Sequence, residues 1–144
     1  MEPPRTALPN ARAMRVIHLA LTLGLTGCGV VFFIVHRTEE VPALVPASIG
    51  TALTVAAIGA IIVAVTVVRR RVPPQAPDQT PDMYWGGETV RLMALVLWAA
   101  VESGGLLAAV GYLLTGAAAP AIAFAIAVAT LATLGPRRFE QGDS

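Results

Sequence analysis

Four apolar blocks, at about residues 14–35, 48–68, 90–114 and 117–134, take up most of the 144-residue chain and fix what it can become. Each meets or approaches the roughly 20 residues that a helix needs to cross a hydrocarbon layer. Hydrophobic residues make up 56% of the chain and charged ones 13%, and the apolar ones come in runs instead of alternating with polar ones. Such blocks belong in lipid and not in a water-exposed amphipathic helix or strand. The expected fold is an all-α membrane protein with four transmembrane helices in two antiparallel hairpins. Its parts would be an N-terminal arm (1–13), a first hairpin (14–68), a Pro-rich linker (69–89), a second hairpin (90–135) and a tail (136–144).

The first block follows Arg5, Arg12 and Arg15 as a signal peptide would. However, its apolar run exceeds the usual ~7–15 residues of a signal core, and no small-residue cleavage site precedes His36-Arg37-Thr38. A retained helix is expected. The basic residues are all arginine, which together with the alanine content suggests a GC-rich bacterial genome. Arginines lie in the arm, at Arg69, Arg70, Arg71 and Arg91 around the linker, and at Arg137 and Arg138. Only Arg37, beside Glu39 and Glu40, would lie on the other face. Basic residues near helix ends stay on the cytoplasmic side, so both termini and the linker should be cytoplasmic in a bacterial inner membrane. A net charge of +1 offers no concentrated basic surface for nucleic acid.

The linker carries Pro73, Pro74, Pro77 and Pro81, which favour extended, solvated backbone, so it reads as a spacer. Tyr84 and Trp85 at its end have the amphipathic rings expected of anchors at headgroup level. In lipid, helices associate through small residues that let backbones approach. Ala20, Gly24 and Cys28 form one such row on the first helix; Ala100, Gly104 and Ala108 form another on the third. Cys28 is therefore read as a packing residue, and a lone cysteine makes no internal disulfide. A shift of 76 residues lays Arg15 on Arg91, Gly24 on Ala100, Cys28 on Gly104 and Thr26 on Glu102, as in a parallel internal repeat.

Glu102 is the only charged residue between Arg91 and Arg137. A charge at mid-membrane is costly, and a carboxyl taken out of water favours its protonated form. By helix periodicity Glu102 points away from the Ala100/Gly104/Ala108 row, toward a second helix, a partner subunit, a cavity or lipid. The hydroxyls of Thr22, Thr26 and Thr54 are candidate partners. His18 and His36 have no cysteine or carboxylate at metal-ligand spacing, and no nucleophile triad or phosphate loop is visible. No metal, cofactor or enzymatic activity is expected.

The run Glu102-Ser103-Gly104-Gly105-Leu106-Leu107-Ala108-Ala109-Val110-Gly111-Tyr112-Leu113-Leu114 resembles the carboxylate helix of the proteolipid (c) subunits of rotary ATPases. In that family the mid-membrane carboxylate carries the transported proton or sodium. The resemblance implies that role for Glu102, with Thr26 opposite it. The chain departs from the pattern in three ways. The proteolipid carboxylate sits on the second helix of its hairpin, the dense glycine run is reduced to Gly24, Gly27 and Gly29, and a proline-rich linker replaces the short polar loop. Glu102, Gly104 and Tyr112-Leu113-Leu114-Thr115-Gly116 are also similar to the third helix of small uncharacterised bacterial four-helix membrane proteins, which implies no activity. Two expectations follow. One is a non-enzymatic component that packs with itself or within a larger membrane complex. The other is a proton- or cation-handling subunit built on Glu102.

Overall fold

The computed structural model describes residues 9–38 and 45–140. Arg5, the acidic pair Glu39 and Glu40, and the last four residues of the tail lie outside the described residues. The chain is all-helical over that range, and every sequence block gives a helix. These are α1 (Asn10–Thr38), α2 (Ala47–Val63), α4 (Glu88–Thr115) and α5 (Ala118–Thr133), with two short helices, α3 (Pro81–Gly86) and α6 (Pro136–Glu140), that the blocks do not include. α2 runs on through a π-helical turn at Ala64–Val68 and a 3-10 turn at Arg69–Arg71. Three rods, Asn10–Thr38, Ala47–Arg71 and Glu88–Thr115, are long and apolar enough to cross a membrane. The fourth apolar helix, α5, has 16 residues, or roughly 24 Å at 1.5 Å per residue, which falls short of a ~30 Å hydrocarbon layer.

α4 is the hub of the bundle, because α2, α5 and α1 all pack on it. α1 and α2 scarcely touch each other, so the first two rods do not form a closed hairpin among the described residues. The glycines of α4 make this possible, since a residue without Cβ lets a neighbouring backbone come close. A Cβ on Gly104 would stand 3.0 Å from the Ala57 carbonyl oxygen of α2, and one on Gly105 would stand 2.8 Å from Leu25 of α1 and 3.1 Å from Ala127 of α5. α1 and α4 run in the same direction, with His18 against Trp98, Leu25 against Gly105, and Phe33 against Tyr112. Gly116 closes α4 in the left-handed region (φ 63°), where its N–H donates to the Tyr112 carbonyl at 2.7 Å, and α5 turns back antiparallel.

The linker is folded and not a solvated spacer. Thr80 caps α3, its hydroxyl accepting from the Met83 N–H, and Pro81 takes the first helical position, where its missing N–H removes no helix bond. Asp82 in turn accepts from the Ala11 N–H at 3.0 Å, placing a carboxylate at the N-terminus of α1, where free amide donors and the helix dipole favour one.

Tyr84 and Trp85 are enclosed by the protein's own chain and are not displayed to a headgroup layer. Tyr84 donates from its hydroxyl to the Pro73 carbonyl at 2.7 Å. Trp85 packs edge-on against Phe139 and lies beside Trp98. The sequence-based expectation of anchoring gives way because the linker and α6 supply partners for the polar tips of both rings.

Candidate functional site

Glu102 sits in the middle of α4, half-buried, and makes no hydrogen bond or ion pair among the described residues. Its surroundings follow from helix geometry. Three residues back along an α-helix turns the face by about 60°. Ala108 clusters with Ala57 of α2 and Ala123 of α5, Gly105 meets α5 and α1, and Glu102 comes next. It therefore lies on the far side of the α1 contact from α5, with exposed Ser103 and Leu106 beside it.

The three candidate hydroxyl partners are engaged elsewhere. Thr22 donates to the His18 carbonyl at 2.9 Å, Thr26 to that of Thr22 at 2.8 Å, and Thr54 to that of Gly50 at 2.8 Å. Each spends its proton on its own helix, as threonine does within apolar helices. Thr26 also lines a groove between α1 and α5, to which Glu102 does not contribute. The structure does not bring Thr26 and Glu102 together as a shared ion site.

The two rows of small residues have different surroundings. Gly104 and Ala108 are buried against α2, with Ala100 at the edge of the core. Ala20, Gly24 and Cys28 are all exposed, and a Cβ on Gly24 would meet nothing within 4 Å. Gly24 and Cys28 lie round α1 from Leu25 in the opposite sense to Thr26, by about 60–100°. The open row and Glu102 therefore share one side of the α1–α4 seam.

Two groups of functional weight are ones that sequence reasoning missed. At the arginine-rich end, Glu140 of α6 accepts from the Arg15 guanidinium at 2.6 Å and from the Trp85 indole N–H at 3.0 Å. It joins the start of α1, the linker and the C-terminal segment. Burial, and then the nearby Glu140 charge, push the Tyr84 phenol up to about 12. Deeper in, His18 Nε2 lies 2.8 Å from the Leu131 carbonyl, and Trp98 donates to the Leu134 carbonyl at 2.8 Å. These are among the last carbonyls of α5, which have no partner within the helix. His18 thus needs its proton on Nε2 and works as a helix cap. The signal for this role was its spacing from Met14 and Leu25, which puts it on the buried stripe of α1.

No cluster of three or more His, Cys, Asp or Glu able to hold a metal occurs among the described residues. The class defined by these features is an all-helical protein with several long apolar helices around one central helix. No protein-family model, curated protein or solved structure matches the chain.

Proposed function

We propose that this chain is a multipass integral membrane protein of the bacterial inner membrane, with both termini cytoplasmic, acting as a non-enzymatic accessory component. It would assemble with itself or within a larger membrane complex. The observation that carries this reading is the outward display of large apolar side chains along the two outer rods. Leu19, Leu23 and Val31 of α1 are 56%, 62% and 55% exposed, and Val55 of α2 is 67% exposed. Contiguous surface of that kind fits a lipid or protein environment and not water. The open Ala20/Gly24/Cys28 row beside Glu102 supports the assembly part, since small residues on a lipid-facing helix let a second helix approach. With its intrachain candidates engaged, Glu102 would find its polar contact on that neighbour.

Native mass measurement of the protein in mild detergent tests this. The expected result is a defined oligomer, or a co-purifying membrane protein, that is lost in Gly24→Leu and retained in Glu102→Gln. A wild-type protein that is monomeric and partner-free, or an assembly indifferent to Gly24→Leu, would overturn it.

A second reading, a proton- or cation-handling subunit, draws on the lack of any hydrogen bond to Glu102 among the described residues and on its half-buried place at mid-helix. It rests on Glu102 alone. Here Glu102→Gln would abolish ion movement in proteoliposomes while assembly survives, and a carboxylate-directed carbodiimide would label Glu102. Unchanged ion flux in Glu102→Gln would remove this reading.

A further inference from the structure

Between α1 and α2, one side of α4 stays open among the described residues. Leu92, Val96, Leu106 and Val110 are exposed there, with Ala99 and Ser103 between them. Ser103 projects about 100° away from Gly104, which meets α2, and about 160° away from Gly105, which meets α1 and α5. Glu102 forms the α1 edge of this sector, and the exposed Ala20, Gly24 and Cys28 row of α1 borders it.

Two polar groups stand in that sector with nothing to bond. Thr22, Thr26, Thr54 and Thr115 each donate to the carbonyl four residues back on their own helix. Ser103 does not: like Glu102, it makes no hydrogen bond among the described residues. Both lie near the middle of a 28-residue helix, where a polar group surrounded by apolar material is costly until it finds a partner. Consecutive residues on a helix do not face each other, so Glu102 and Ser103 cannot serve each other within one chain.

Leu92, Val96, Ala99, Ser103, Leu106 and Val110 recur at alternating steps of four and three, as along the seam of a two-stranded coiled coil. That spacing marks one side of a helix; the polar pair fixes what covers it. In a parallel pairing of α4 with itself, Ser103 enters a hole formed by Ala99, Glu102, Ser103 and Leu106 of the facing helix. We infer that a second copy of this chain packs on this sector, α4 along α4, about a two-fold axis normal to the membrane. Each Ser103 hydroxyl donates to the Glu102 carboxyl of the other copy. This inference rests on the membrane and assembly readings above, which give both copies one orientation. One face holds donor and acceptor at nearly the same depth, so the two-fold makes the bond twice. Any other helix would have to bring its own donor and its own acceptor to that depth. Ala99 and Ser103, small and four residues apart, let the two backbones approach. An interhelical hydrogen bond in lipid changes association by roughly threefold, so the pair gives on the order of eightfold.

The test uses the full-length chain carrying Cys28→Ser, reconstituted in vesicles of phosphatidylglycerol and phosphatidylethanolamine. Single cysteines are placed by Ser103→Cys, by Leu106→Cys or, on the outer side of α2, by Val55→Cys. Mild oxidation should give a disulfide-linked dimer of the chain at the first two positions and little at the third. A concentration series in mild detergent, read by native mass measurement, then gives the dimer's dissociation. Ser103→Ala should weaken it about eightfold. Glu102→Gln, which keeps an accepting oxygen, should leave it near wild type. Ala99→Phe, at an exposed position, should abolish it, whereas Val55→Phe should not. Seam cysteines that crosslink no better than Val55→Cys, or a Ser103→Ala dimer as tight as wild type, would overturn the proposal. An assembly that withstands Ala99→Phe yet is lost in Gly24→Leu, or one that holds another protein and a single copy of this chain, defeats this seam and leaves the assembly reading. A wild-type protein that stays monomeric throughout the series defeats both.

Discussion

Removing the Glu140 carboxylate should loosen the whole arginine-rich end, because that one group ties three parts of the chain. Its two bonds are unequal. The Trp85 indole is fully buried and donates at 3.0 Å, whereas the Arg15 side chain is 44% exposed against 9% for Glu140. A hydrogen bond to a charged acceptor contributes ~1.5–3 kcal/mol, and a buried donor left without a partner costs a similar amount. An ion pair with one partner this exposed contributes only ~0–1 kcal/mol after screening. Glu140→Ala should therefore destabilise the protein by about 2–3 kcal/mol, most of it through Trp85. Glu140→Gln keeps an oxygen facing the indole and should lose roughly 1 kcal/mol or less.

Reversible denaturation in mild detergent, followed by circular dichroism and tryptophan emission, gives both numbers. A double-mutant cycle assigns them, since pairs in contact show a coupling that distant pairs lack. The Trp85→Phe/Glu140→Ala coupling should exceed the Arg15→Ala/Glu140→Ala coupling. The reasoning fails if Glu140→Ala melts like the wild type or if the Arg15 coupling is the larger.

Two further perturbations read other parts of the fold. A methyl on Gly104 would press on the Ala57 backbone oxygen, whereas one on Gly24 meets open space. Overpacking costs ~1–3 kcal/mol against a helix-propensity gain of ~1 kcal/mol, so Gly104→Ala should lower monomer stability and Gly24→Ala should hold or raise it. The reverse order in dilute-detergent unfolding would refute the packing. Tyr84, with an ordinary pKa near 10 unfolded and about 12 folded, keeps its proton more tightly in the native state. Its contribution is complete below pH 10 and is lost as pH rises from about 10 to about 12, so stability should fall across that window. Tyr84→Phe should remove both this fall and the latest step of the phenolate absorbance titration. A Tyr84 step centred near 10 would contradict the burial argument.

The rods were legible because continuous apolar runs of that length leave the chain few alternatives to helix, and the all-α class followed from them. What escaped was set by partners distant in sequence. Pro73 to Pro81 looked like a solvated spacer because proline opposes helix interiors, yet Pro81 after Thr80 is also a good helix start, and only the contact of Asp82 with Ala11 decides between the two. Tyr84 and Trp85 looked like headgroup anchors because their polar tips need partners. The Pro73 carbonyl and Glu140 supply those partners from within the chain. Of the candidate site, the isolation of Glu102 could be read directly. Its separation from Thr26 could not, because periodicity ranks faces on one helix but does not say which neighbour each face meets.

That ordering of neighbours bears on what Glu102 can do. α4 spends its glycine faces on α2, α5 and α1 in turn, and Glu102 occupies the sector that follows, where no further helix arrives among the described residues. The exposed Ala20, Gly24 and Cys28 row opens onto the same sector. A carboxyl meant to stabilise a single-chain bundle would sit where hydroxyls could reach it, but Thr22 and Thr26 bond their own backbone instead. Under both the assembly and the ion-handling readings proposed above, the group that completes Glu102 would come from a second molecule. Crosslinking from cysteines at position 28 and at an engineered Ser103→Cys should then report the same neighbour. Two different neighbours captured from those adjacent sites would separate the small-residue row from the carboxylate and require a different explanation for each.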